Sequence, residues 1–224
     1  MDYQIRTFSF QSKYDAVPIH GLCYVPENPI GIFQMTHGMC EHKNRFTHFM
    51  AYMAKQGYVT VMHDTRGHGE SVKEDEDIGY CYEAEAQGVV EDLYYITKRI
   101  RKEFPELPLV LYGHSMGSLA VRSYLKSYDD AIDAVVLAGT PAYQEAVAVA
   151  RVGLKVLKAI MGERHRSPFF QGLVLDGFEK RFRKDKREYA WLAAKESVGE
   201  IFKKDKKCTS VSYTHLTLPT MAVV

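Results

Sequence analysis

A chain of 224 residues with 46% hydrophobic content is long enough for one α/β domain with a sizeable core. Its 29 Lys and Arg nearly balance 28 Asp and Glu, so charge gives no reason to expect nucleic acid or an anionic membrane surface as partner. Four cysteines, Cys23, Cys40, Cys81 and Cys208, show neither metal-ligand spacing nor a disulfide framework, which suits a reducing compartment.

The start, Met1-Asp2-Tyr3-Gln4, lacks the basic flank and apolar core of a signal peptide. No apolar run approaches the ~20 residues of a membrane span, so the expectation is a soluble cytoplasmic protein. Residues 3–10 alternate, with Ile5, Phe8 and Phe10 among polar neighbours, and predict an edge strand. A polar break at 11–15 leads to a second strand over 17–25, stopped by Pro26 and Pro29, and the two form an antiparallel hairpin. Residues 31–36 are a short buried strand running into His37-Gly38-Met39-Cys40-Glu41-His42. This turn has two readings: an ordinary strand-to-helix turn with a permissive glycine, or a site where the Met39 N–H meets developing negative charge. Residues further along decide between them.

Phe49, Met50, Met53 and Ala54 recur at helical spacing over 46–56, with Gly57 as C-cap. A strand over 58–62 ends in His63-Asp64-Thr65-Arg66-Gly67-His68-Gly69-Glu70-Ser71. His63, Asp64 and His68 could be metal ligands or catalytic groups, but a loop pinned by Asp and Arg hydrogen bonds explains the composition better. Residues 73–77 read as a solvated charged loop, and 83–104 as an amphipathic helix with Val89, Val90, Leu93, Ile96 and Ile100 on one face.

The strand that follows, 109–112, feeds straight into Gly113-His114-Ser115-Met116-Gly117 and then into small helix-forming residues. The five-residue pattern alone is loosely specified; the strand before it and the helix after it make it a nucleophile elbow. A serine on such a turn sits in strained backbone, and bulk at Gly113 or Gly117 would strike the neighbouring strand or helix. Ser115 is the candidate nucleophile, with the Met116 N–H at the helix start as an oxyanion donor. That elbow also tips the earlier turn towards its functional reading, with the Met39 N–H as the second donor.

A strand over 131–138 follows, stopped by Gly139 and Pro141, and the regular alternation predicts a mostly parallel, doubly wound sheet with helices on both faces. From 142 to 207 the pattern is consecutive helices without a strand. A helical insertion there would sit above Ser115 as a lid, closing an apolar acyl pocket; the plain alternative is a pair of packing helices. The basic residues Arg181, Arg183, Lys184 and Arg187 read as a solvated face rather than an anion site.

Residues 1 to about 208 resemble the serine-hydrolase branch of the α/β-hydrolase superfamily, and look most like its monoacylglycerol lipase and lysophospholipase group. Three segments carry the resemblance: His37-Gly38-Met39-Cys40-Glu41-His42 with Arg45, similar to H-G-x-x-E-H-x-x-R; Asp64 to Ser71, similar to D-x-x-G-H-G-x-S; and Gly113-His114-Ser115-Met116-Gly117, identical to G-H-S-M-G. The resemblance implies that Ser115 attacks an ester carbonyl while the Met39 and Met116 N–H groups bind the oxyanion. It further implies that Glu41 and Arg45, with His37, Gly38 and His114, support the pocket. The implied substrates are monoacylglycerols, lysophospholipids or simpler carboxylic esters, with no cofactor or metal, no nucleic acid, and at most transient lipid contact through the cap.

The fold's triad runs in chain order Ser, then Asp or Glu, then His. After Ser115, the acids Asp176, Asp185 and Asp205 do not follow strands, His165 precedes all three, and His215 is the remaining histidine. Two core strands, those that carry acid and base, have no counterpart in the sequence. Residues 211–220, Val-Ser-Tyr-Thr-His-Leu-Thr-Leu-Pro-Thr, read codon by codon as GTC TCT TAT ACA CAT CTG ACG CTG CCG ACG, which resembles the transposase end of a sequencing-library adapter. The expectation is therefore a hydrolase core over 1–141, a partial cap over 142–209 and an adapter-derived tail over 210–224. Such a chain should be inactive and marginally folded, with His215 discounted. An amidase that keeps Ser115, and a hydrolase-like binding protein without catalysis, are the alternatives; a dehalogenase would need a carboxylate where Ser115 stands.

Overall fold

The alternating N-terminal stretch forms the expected hairpin. In the computed structural model, which describes residues 2–141 and 189–208 together with 159–162, 164–166, 182, 184, 185 and 187, strands β1 (Tyr3–Gln11) and β2 (Pro18–Pro26) pair antiparallel, Tyr3 opposite Pro26. Four strands follow in parallel: β3 (Gly31–Thr36), β4 (Tyr58–His63), β5 (Leu109–His114) and β6 (Ala134–Ala138). The six-stranded order is β1-β2-β4-β3-β5-β6, with β2 antiparallel to β4. Helices α1 (Thr47–Lys55), α2 (Glu85–Glu103) and α3 (Met116–Tyr128) make the crossovers.

The winding reverses at β3. From β3 the chain moves outward to β4 through α1, then crosses back through α2 to pair β5 with the other edge of β3. This places α1 on one face and α2 with α3 on the other. Parallel strands covered on both faces are apolar throughout rather than alternating, and every residue of β3 is buried. One core, including Ile32, Val61, Leu93, Ile96, Leu111 and Val121, lies under α2 and α3; the other joins Phe33, Met35 and Met62 to Met50 and Ala54 of α1. Within β3, besides Thr36 at its end, the polar exception is Gln34, fully buried. Its amide donates to the Leu93 carbonyl at 3.0 Å and accepts from Thr97 Oγ1 at 2.9 Å, so a satisfied polar pair fixes α2 along β3.

Several boundaries and one environment differ from the sequence reading. The strand expected over 131–138 begins at Ala134, because Asp129–Ala131 forms a 3-10 turn and the Asp133 carboxylate takes the Leu109 N–H at 2.6 Å. The charged stretch 73–77 is not simply solvated: Asp77 is buried, accepts from Tyr82 Oη at 3.0 Å and pairs with Arg164 at 2.7 Å. The loop after β4 is pinned as its composition suggested. Arg66, fully buried, reaches Asp92 at 2.8 Å, Asp15 at 2.7 Å and Ser12 Oγ at 2.6 Å. Of the stretch expected as a cap, helix α4 (Glu196–Lys204) is described, whereas 142–158, 167–181 and the stretch 209–224, which includes His215, lie outside the described residues. Among the described residues no helix is long and apolar enough to cross a membrane.

Removing Arg66 leaves two carboxylates buried without their cation. Arg66→Met should therefore lower the unfolding free energy by about 3–5 kcal/mol in urea titrations; a loss below about 1 kcal/mol would mean the network is not structural.

Candidate active site

Ligands of open α/β sheets bind beyond the carboxyl ends of strands flanking the winding reversal, and here those strands are β3 and β5. Each ends in a glycine-bearing turn. Ser115, immediately after β5, has φ 51° and ψ −117°, a left-handed conformation that costs a non-glycine residue about 1–3 kcal/mol. It is held from both sides. The Ser115 N–H donates to the Ala138 carbonyl of β6 at 2.9 Å, and the Ser118 N–H and Oγ donate to the Ser115 carbonyl at 2.9 and 2.5 Å.

The glycines of the elbow are required by close approach. A Cβ on Gly113 would lie 2.6 Å from the Gly117 carbonyl oxygen, and one on Gly117 would lie 2.6 Å from both the Thr36 and His37 carbonyl oxygens. The start of α3 thus presses directly against the end of β3. A Cβ on Gly38 would sit 3.0 Å from the Ser115 Cβ, which sets the His37-Gly38-Met39 turn beside the candidate nucleophile. Met116 opens α3, where helix N–H groups have no intrahelical acceptor, and among the described residues neither the Met39 nor the Met116 N–H donates a hydrogen bond. The side chains of Met39 and Met116 join Cys81 and Val89 in one apolar cluster.

The charged residues of the first turn are turned inward to hold it. Glu41 Oε2 accepts from the Gly38 N–H at 3.0 Å and meets His114 Nδ1 at 2.9 Å, while Oε1 lies 3.6 Å from Arg45 Nε. Burial works to raise the Glu41 carboxyl, but the His114 hydrogen bond and the Gly38 N–H outweigh it and leave the carboxyl below its ordinary range. His37, fully buried, donates from Nδ1 to the Gly38 carbonyl at 2.7 Å and accepts at Nε2 from the Thr65 N–H at 3.0 Å. Those two bonds assign the neutral tautomer, and burial lowers its pKa. Asp64 likewise pins backbone: its carboxylate accepts the Lys43 N–H at 2.6 Å, Lys43 Nζ at 2.7 Å and the Glu70 N–H at 2.8 Å. His63 and His68 are buried, their pKa values pushed down to about 3 and about 4 by desolvation.

This geometry agrees with comparison to known proteins. Residues 27–221 match the family model described as serine aminopeptidase, S33. The chain belongs to this family. Within curated proteins, it is 29% identical over 133 residues to a monoacylglycerol lipase of Mycolicibacterium smegmatis, covering 59% of the chain and 45% of that protein. It is 30% identical over 89 residues to the monoglyceride lipase of Rattus norvegicus, covering 40% of the chain and 28% of that protein. The chain thus spans less than half the length of either relative. Among solved structures, a thermostable carboxyl esterase from Bacillus coagulans superposes with a TM-score of 0.88 at 21% identity, covering 98% of the chain and 72% of that one. A monoglyceride lipase from Saccharomyces cerevisiae superposes with a TM-score of 0.73 at 17% identity over 100% of the chain and 68% of its own. The fold is that of the α/β-hydrolases.

For a member of the S33 family the acid and base remain to be placed. Of the downstream acids, Asp185 pairs with Arg187 and Asp205 with His42, and Asp176 lies outside the described residues. Among the described residues no side chain hydrogen-bonds the Ser115 hydroxyl. One cluster has metal-ligand chemistry: ligand atoms of His42, Asp205 and Cys208 lie within 4.8 Å of one another. Their donors and acceptors already satisfy each other. Asp205 accepts from His42 Nε2 at 2.7 Å and from the Lys207 N–H at 2.9 Å, and the Cys208 thiol, pushed up to about 12 by burial and the nearby Asp205 charge, bonds to it as a donor. Sequence reasoning weighed Asp205 only as a triad acid and missed its pairing with His42, 163 residues away with no shared motif; it also missed Lys43, which reads as an ordinary surface lysine.

Histidines kept neutral by burial make the fold sensitive to mild acid. Below pH about 6.5 the unfolded chain takes up protons that folded His63, His68 and His37 refuse, so stability declines as pH falls from 6.5 towards 4. Glu41 and Asp64, held below their ordinary values of 4.5 and 3.8, keep their contribution above those values and lose it as pH falls further. Urea midpoints measured from pH 7.5 to 4.5 should fall steadily below 6.5, and His68→Gln should make the slope shallower; a flat profile would contradict the assignment.

Proposed function

We propose that this protein is a serine hydrolase acting on carboxylic esters of the monoacylglycerol or lysophospholipid type through an acyl-enzyme on Ser115. The observation that carries this reading is the left-handed Ser115 at the start of α3 with the Gly38 turn packed against its Cβ. In the reaction, Ser115 Oγ adds to the ester carbonyl and loses its proton. The carbonyl oxygen becomes an oxyanion accepting from the Met39 and Met116 N–H groups, the alcohol departs with a proton, and water then releases the acid. The apolar cluster of Met39, Cys81, Val89 and Met116 beside those donors suits an acyl chain rather than a charged group.

An aminopeptidase reading, suggested by the family's description, requires a carboxylate to receive the substrate's free amine. Glu41, the carboxylate of this turn, is already engaged by the Gly38 N–H and His114, which favours the ester. His37, Glu41, Arg45 and His114 act in this reading by fixing the turn, not by touching the reacting atoms. Exposed Ile160 and Met161 in the cap suit transient contact with a lipid surface. None of the four cysteines is in a disulfide, which fits a cytoplasmic setting.

The same reading sets the rate of the 224-residue chain. With no imidazole placed on Ser115 among the described residues, the hydrolysis they support rests on the oxyanion donors and binding, which alone give roughly 10³–10⁴ over water in serine proteases. Turnover of a monoacylglycerol should therefore be slow and rise with pH without a plateau near 7. It should exceed turnover of an aminoacyl amide and vanish in Ser115→Ala. Prolonged incubation with a fluorophosphonate should place one adduct on the Ser115 peptide. Absence of that adduct by mass spectrometry would replace the hydrolase with a non-catalytic binding protein, and rapid turnover with a plateau near neutrality would show that the chain supplies its own base.

A further inference from the structure

The turn that bears the Met39 N–H contains a second strained residue. Cys40 has φ +58°, a left-handed conformation for a non-glycine side chain, and it is buried. Such a residue persists only where its surroundings over-determine it. Its surroundings are the cap: Cys40 clusters with Phe202 of α4 and with Cys208, flanked by Met39, Tyr189 and Leu192. Two further contacts of different kinds tie the same pair of segments. His42 Nε2 meets Asp205 Oδ2 at 2.7 Å, the histidine side chain only 8% exposed, and the Arg45 guanidinium lies over the Phe202 ring at 4.9 Å. Arg45 in turn approaches Glu41, whose carboxylate holds the Gly38 N–H.

We infer that Phe202 and Asp205 are positioning residues, through which the cap holds the oxyanion turn 38–42 in its strained, donor-presenting form. Asp205 is itself built for this. The N–H groups of Lys207 and Cys208 donate to its carboxylate and carbonyl, fixing the carboxylate where His42 can reach it. The inference rests on the reading of Met39 as an oxyanion donor for its catalytic consequence, but the mechanical coupling stands apart from that reading and can be measured separately.

The test compares wild type, Asp205→Asn and Phe202→Leu in the full chain by amide hydrogen exchange, with fluorophosphonate labelling of Ser115 as a second readout. In Asp205→Asn, exchange at residues 38–42 should rise about tenfold while the strands β3 and β4 stay unchanged. The labelling rate should fall about fivefold with it, and Asp205→Glu should restore part of both. A purely structural loss would instead raise exchange across the sheet. Unchanged exchange at 38–42 in both variants, or an equal rise everywhere, would overturn the inference. Should Asp205→Asn fail to fold, Phe202→Leu, which shortens the contact without removing a charge, is read by the same criteria. If wild type itself does not label, the hydrolase reading fails and the exchange data still decide the coupling.

Discussion

Everything at the candidate site depends on one backbone contact, that between the first turn of α3 and the last residues of β3. With the Thr36 and His37 carbonyls at 2.6 Å from any Cβ on Gly117, the helix can start only where a glycine stands. That approach sets the distance between the two turns, one bearing Ser115 and the other Gly38 and Met39. Its cost includes the left-handed φ of Ser115, about 1–3 kcal/mol. Fully buried side chains on the same strands, Leu109 and Leu111 of β5 and Ile32 of β3, contribute about 1.5–3 kcal/mol each and hold it in place. A strained serine of this kind is therefore affordable only at the end of a central strand, not on an edge.

The second constraint is satisfaction of backbone groups in turns too irregular to pair with one another. Three turns converge at the carboxyl edge, after β3, β4 and β5, and little secondary structure remains to accept their N–H groups. Side chains take that place. His37 bridges Gly38 to Thr65, Asp64 gathers the N–H groups of Lys43 and Glu70, and Glu41 takes the Gly38 N–H. Each is buried, and each would be costly if its partner were lost. The polar density of the site is thus mostly scaffolding, and among the described residues the Ser115 hydroxyl and the Met39 and Met116 N–H groups stay outside it.

How much of this was legible in the sequence follows from range. The strands and helices announced themselves because their signals are periodic and local: β3 as an unbroken apolar run, α2 by its repeating face, the hairpin by alternation and prolines. The elbow was legible for the same reason, since glycine, serine and glycine at fixed offsets express one local clash. Asp77 was misjudged because its partners, Tyr82 and Arg164, are invisible to a local window in which five charged or polar residues look solvated. Gln34 in β3 gave no sign of its bond to the Leu93 carbonyl, 59 residues away. His42 and Asp205 each looked ordinary, and only the fold brings the end of α4 to the turn after β3.

That last juxtaposition has a consequence for how the cap can move. Helix α4 buries Phe202 and Gly199 but leaves Ile201 64% and Val198 37% exposed, so it is not clamped from both sides. Among the described residues its contact with the core is the face that carries Phe202 and leads into Asp205 and Cys208, the face that also meets Cys40 and His42. Coupling of this kind is reciprocal. On the proposed coupling, displacing Phe202 and Asp205 would loosen residues 38–42, and fixing that turn would hold the two side chains in place.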